Sequence, residues 1–150
     1  MRTLVLIDNN KDDLLFIKEA LASIDPTIQC LSFVYSEEAV IAMTTKILDG
    51  PDAVFMNLNM PRRNGIQCLM ELRSHVAFEN LPVILYAPRI TAEVLESLKG
   101  SGVTTAFEKP NTMLGWKKVM QQMLGAIESP TENFRALFKN SSWYIELPSR

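Results

Sequence analysis

Five short apolar runs punctuate the chain, at residues 4–7, 30–34, 53–56, 83–86 and 104–107, each bounded by turn-forming or charged residues. They are rich in aliphatic, β-branched and aromatic side chains and show little alternation with polar ones. That is the pattern of strands covered on both faces, as in a parallel sheet. Between the runs, apolar positions recur at spacings of three and four, which predicts amphipathic helices. Leu14, Ile17, Leu21 and Ile24 mark a first helix over residues 11–24, capped by Asn10 and stopped at Asp25-Pro26. A second is predicted over 36–48, with Ser36 as its cap and Glu37 and Glu38 at its positive end. A third begins near Gly65 and turns Ile66, Leu69 and Leu72 inward, and a fourth covers 91–99. The fifth carries the clearest stripe, made of Trp116, Val119, Met120, Met123, Leu124 and Ile127. Such a stripe is core packing rather than a cofactor box.

Five strands, each followed by a helix, predict right-handed crossovers and a sheet covered on both faces. The expected fold class is α/β: a doubly wound, flavodoxin-like parallel sheet of order 2-1-3-4-5 with five helices. The crevice of such a sheet lies at the carboxyl ends of the first and third strands, where the order reverses. Those ends are Asp8-Asn9 and Asn57. In this fold Ala87, after the fourth strand, and Lys109, after the fifth, would face the same pocket.

Composition narrows the function. The chain has 150 residues, 47% apolar and 21% charged, which suits one domain with a real core. A net charge of −2 does not provide the basic surface that nucleic-acid binding needs. The run at 4–7 is too short for a signal peptide or a membrane span, so a soluble cytoplasmic protein is expected. Cys30 and Cys68 read as free thiols in apolar surroundings, and with a single histidine in the chain no metal cluster is expected. "DNNKDD" after the first strand contains no glycine, which argues against a phosphate-cradling loop.

The pattern changes after Pro130. Residues 1–129 read as one domain and 130–150 as a C-terminal extension that packs on the domain or on a partner. Phe134, Phe138, Trp143 and Tyr144 lie in this extension, with a short helix expected over 133–139 and an extended stretch over 143–147. No helix pair for reading DNA fits after residue 127.

Four stretches, "LVLIDNNKDD", "DAVFMNLNMPRRNG", "LPVILYAP" and "FEKP", follow one another in a characteristic order and spacing. In these the chain resembles the receiver domain of bacterial two-component response regulators, over residues 3–127. It is similar, more specifically, to the single-domain receivers associated with phytochrome kinases. The resemblance implies an Mg²⁺ site made by two acidic residues after the first strand. It implies an aspartate ending the third strand, which accepts a phosphoryl group from a histidine kinase. A carbonyl two residues later would complete the metal shell. A hydroxyl residue on the fourth strand and a lysine on the fifth would face the phosphoryl group, and an aromatic three residues before the lysine would switch.

This chain departs from that pattern at most positions. Asp8 matches one acidic position, but Asn9 fills the other and Asn57 stands where the phosphoacceptor would be. The Asn59 carbonyl could still serve a metal. Ala87 replaces the hydroxyl residue, Ala106 replaces the switch aromatic, and Lys109 and Pro110 match. An acyl phosphate requires a carboxylate nucleophile, which Asn57 does not offer. Mg²⁺ prefers anionic oxygen, so the site at Asp8, Asn9, Asn57 and Asn59 is expected to be weak or lost. With only Asp8 and Lys109 charged, the pocket is expected to be neutral, Lys109 pairing with Asp8 while the amides complete a fixed network. Arg62 and Arg63 read as a solvated loop pair.

The expected function is that of a degenerate, non-enzymatic receiver acting by phosphorylation-independent protein–protein interaction. Its partner would be a histidine kinase or another regulator, without nucleic acid or membrane, and a homodimer would form through the fourth helix, fifth strand and fifth helix. The alternatives are a working response regulator phosphorylated at another residue, or a flavodoxin-like small-ligand binder.

Overall fold

A computed structural model describes residues 2–45, 50–128 and 144–145. Strands β1 (Thr3–Ile7), β2 (Gln29–Phe33), β3 (Ala53–Asn57), β4 (Val83–Ala87) and β5 (Thr105–Glu108) alternate with helices α1 (Lys11–Ile24), α2 (Ser36–Thr44), α3 (Gly65–Arg73), α4 (Ala92–Leu98) and α5 (Met113–Glu128). The five strands are parallel and lie in the order 2-1-3-4-5, so this is the expected flavodoxin-like fold. A sixth strand, β6 (Tyr144–Ile145), runs antiparallel beside β5, with Tyr144 opposite Phe107 and Ile145 opposite Ala106. The rest of the extension, including the helix expected over 133–139 and the domain boundary after 129, lies outside the described residues.

The strands are continuous apolar runs because helices cover the sheet on both faces. On one face Leu6, Phe55, Ile84 and Phe107 pack beneath α1 and α5. On the other, Val5, Val54, Met56 and Leu85 pack beneath α2, α3 and α4. Burying each large aliphatic or aromatic side chain contributes about 1.5–3 kcal/mol. The α5 stripe joins the first core, with Val119, Met120 and Met123 fully buried.

Helix starts follow local chemistry. Asn10 Oδ1 accepts from the Asp12 and Asp13 backbone N–H groups and caps α1 as expected. Ser36 is not the cap of α2: Tyr35 holds that position without a side-chain bond, and Ser36 is the first helical residue and buried. Helix α2 is described only as far as Thr44, and residues 46–48 of its expected span lie outside the described ones. Asn64 and Gln67 form a reciprocal capping box at the start of α3. That start lies close to the site: a Cβ on Gly65 would come within 2.9 Å of the Asn57 carbonyl oxygen and 3.0 Å of Leu58 Cα. Glycine lets α3 begin directly against the end of β3.

Candidate functional site

The strand ends converge as the topology requires. Asp8 follows β1 and is fully buried, and Asn57 ends β3 and is 6% exposed. Asp8 Oδ1 accepts from the Asn57 amide at 3.1 Å and from the Asn10 backbone N–H at 2.9 Å. Asp8 Oδ2 accepts from the Tyr86 hydroxyl at 2.7 Å. Both oxygens of the carboxylate are therefore engaged by donors of the same chain. A buried carboxylate is tolerated only with such partners.

The orientation of the Asn57 amide follows from its neighbours. Its Nδ2 donates to Asp8 Oδ1 and, at 3.4 Å, to Asn9 Oδ1, while its Oδ1 accepts from the Asn59 N–H at 3.1 Å. Turning the amide over would set oxygen against the Asp8 carboxylate and nitrogen against a backbone donor. An aspartate at this position has no such donor, so the bridge to Asp8 depends on the amide. Asn9 and Asn59 are exposed, and Asn59 enters the network through its N–H.

Lys109 does not pair with Asp8. Its ammonium group bonds Asp13 Oδ2, on the first turn of α1, with both side chains largely buried. The physical reason is competition: Asp8 is already satisfied by three uncharged donors, whereas Asp13 offers a carboxylate without a side-chain donor of its own. Asp13 also corrects the expected neutrality. Two carboxylates, Asp8 and Asp13, against one ammonium leave a net charge of −1.

Ala87 and Ala106 are fully buried in the core beneath α2–α4 and present no hydroxyl and no ring. The aromatic groups lie on the other face. Tyr86 stacks on Phe107 with centroids 5.5 Å apart, and Trp116 of α5 stands edge-on to both, 5.6 and 5.9 Å away. Burial, reinforced by the Asp8 carboxylate against it, pushes the Tyr86 hydroxyl well above its usual pKa, so it remains a donor. Tyr86 and Asp13 were not singled out from the sequence. The one signal for Tyr86 is a hydroxyl within the apolar run "VILYA".

In the adjoining loop Arg62 is exposed and Arg63 partly buried, and both make side-chain contacts. Arg62, at φ 66°, lays its guanidinium over the Tyr35 ring, 4.9 Å from the centroid. Arg63 pairs with Glu71 of α3. Among the described residues no cluster of three or more His, Cys, Asp or Glu side chains is placed to hold a metal ion. No described helix is long and apolar enough to cross a membrane.

The family profile of the response regulator receiver domain matches residues 4–119. Stress response regulator protein 1 of Lodderomyces elongisporus is 28% identical over 106 residues, which is 71% of this chain and 28% of that protein. The chain thus corresponds to little more than a quarter of that relative. Among solved structures, the phosphorylated cyanobacterial phytochrome response regulator RcpA is similar with a TM-score of 0.74 and 21% identity, covering 99% of both chains. Response regulator RPA3017, from red light signaling of R. palustris, gives 0.72 and 17%, covering 100% of both. At these identities the structures show a shared fold.

Proposed function

This chain belongs to the response regulator receiver domain family, the signalling domains of two-component systems, and from that premise we propose that it acts by protein–protein interaction independent of phosphorylation. Receiver domains are generally non-enzymatic and work by meeting histidine kinases or other regulators. The observation that carries the reading is the closure of the pocket on itself. Asn57 stands where a phosphoacceptor carboxylate would be, and its amide nitrogen donates to Asp8 and Asn9.

The residues present do not fit Mg²⁺. The direct ligand positions carry amides at Asn9 and Asn57, and the remaining carboxylate is occupied by Tyr86, Asn57 and the Asn10 backbone. A cation on Asp8 Oδ1 would compete with the Asn57 and Asn10 donors and meet the positive end of the Asn57 NH₂ dipole, for the gain of one carboxylate. Lys109 is likewise committed to Asp13 instead of waiting for an anion. The α4–β5–α5 face remains the candidate surface for a homodimer. There β6 lies along β5, so a second copy would meet β6 and the helices rather than a bare strand edge.

Calorimetric titration with Mg²⁺ tests the reading. The expected result is no saturable heat at millimolar Mg²⁺. Tight binding would contradict it.

A further inference from the structure

The parallel part of the sheet ends at β5 on one side and at β2 on the other. At the far side β6 pairs with β5, whereas among the described residues no strand pairs with the outer side of β2. The backbone parity of that edge is readable. The Gln29 N–H donates to Arg2 and the Phe33 carbonyl accepts from Asp8, so this set of residues faces β1. Cys30 and Ser32, of opposite parity, aim their N–H and C=O groups outward.

Above that edge lies a groove of about 350 Å³ between α1 and β2. Leu14, Leu15 and Val34 supply its apolar lining, and Lys11 and Lys18, two helical turns apart on α1, line it as well. Leu15 is 57% exposed and lines this groove beside the buried Leu14. Lys11, Leu14, Leu15 and Lys18 share one helix face at spacings of three, four and seven. Neither lysine is paired with an acid among the described residues.

We propose that this groove binds an extended segment of a partner protein, added as a further strand along β2, with an apolar side chain flanked by acidic ones. The proposal rests on the reading of the chain as a protein-binding module and names the surface it uses. Two features specify the occupant. The outward backbone groups of Cys30 and Ser32 require a strand, because only an extended backbone repeats donors and acceptors at that interval. The lysines select acids: they stand about 10 Å apart along α1, and strand residues four apart span about 13 Å, within reach of a flexible lysine. The motif is therefore acidic–x–apolar–x–acidic, with its side chains on the α1 face.

The test is selection of random seven-residue peptides, displayed on phage, against the full chain. The most enriched sequence is then made as a labelled peptide for anisotropy. Enrichment of an apolar residue flanked two positions away by acids is expected. The combined Lys11→Glu and Lys18→Glu variant should weaken the peptide about tenfold or more. Ser32→Pro, which removes an outward N–H from an edge strand that tolerates proline, should weaken it similarly. Val76→Glu, on an exposed turn far along the chain, should leave it unchanged. A consensus without acids, or affinity untouched by the lysine and proline variants, would overturn the proposal. So would a wild-type dimer in sedimentation that Ser32→Pro dissolves, since the edge would then belong to a second copy. Failure here leaves the reading of the pocket standing, because Mg²⁺ binding and phosphorylation are read separately from peptide binding.

Discussion

The Tyr86 hydroxyl donates to Asp8 Oδ2 at 2.7 Å, across a site where both groups are fully buried. One side of Tyr86 therefore reads the pocket and the other packs against Phe107 and Trp116. The bond holds a buried charge that no lysine compensates directly. Replacing the hydroxyl leaves that charge short of a donor while the ring packing remains.

Tyr86→Phe should therefore lower stability by about 1.5–3 kcal/mol, the range for a hydrogen bond to a charged group. Urea denaturation followed by circular dichroism measures this. A variant as stable as wild type would mean that water replaces the hydroxyl and the pocket is more open than the geometry shows.

Asn57→Asp places a second carboxylate about 3 Å from Asp8, where Asn57 Nδ2 now donates at 3.1 Å. In chelator at pH 7 this variant should lose about 1–3 kcal/mol, equivalent to a like-charge shift of one to two pKa units. Millimolar Mg²⁺ should restore stability to the variant, since the cation would bind the folded site and not the unfolded chain. Wild type should be indifferent to Mg²⁺ in the same melts. An Asn57→Asp variant equally stable with and without Mg²⁺ would show that the pocket cannot be reopened by one residue.

Burial pushes the Cys68 thiol from 9.0 up to about 11. The group is raised on folding, so its contribution to stability is complete below pH 9 and is lost as pH rises toward 11. The stability difference between wild type and Cys68→Ala should narrow by roughly 2 kcal/mol between pH 8 and pH 11, at 1.36 kcal/mol per pKa unit. Urea titrations of both proteins across that range measure it. A constant difference would contradict the burial of this thiol.

Much of the fold was legible because buried parallel strands and helices have distinct periods. The runs at 53–56 and 83–86 lie within β3 and β4, and the 116–127 stripe lies within α5. Asp8 and Asn57 could be brought together from topology alone. What topology could not give was the choice of partners within the pocket. Lys109 reaches Asp13 rather than Asp8 because a tyrosine and two N–H donors had already satisfied Asp8. That competition depends on side-chain reach across three strands, which no linear pattern encodes. The Ser36 cap failed for a local reason: the chain enters α2 one residue earlier, and Ser36 turns into the core. Arg62 is exposed as expected, but its contact with Tyr35 has no local signal, because that ring comes from a different loop.

The central claim is that this pocket no longer carries a phosphoryl group. The most direct measurement is the intact mass of the wild-type chain after incubation with Mg²⁺ and acetyl phosphate, with Asn57→Asp alongside. The account predicts that wild type stays at its unmodified mass. A wild-type chain heavier by one phosphoryl group would contradict it.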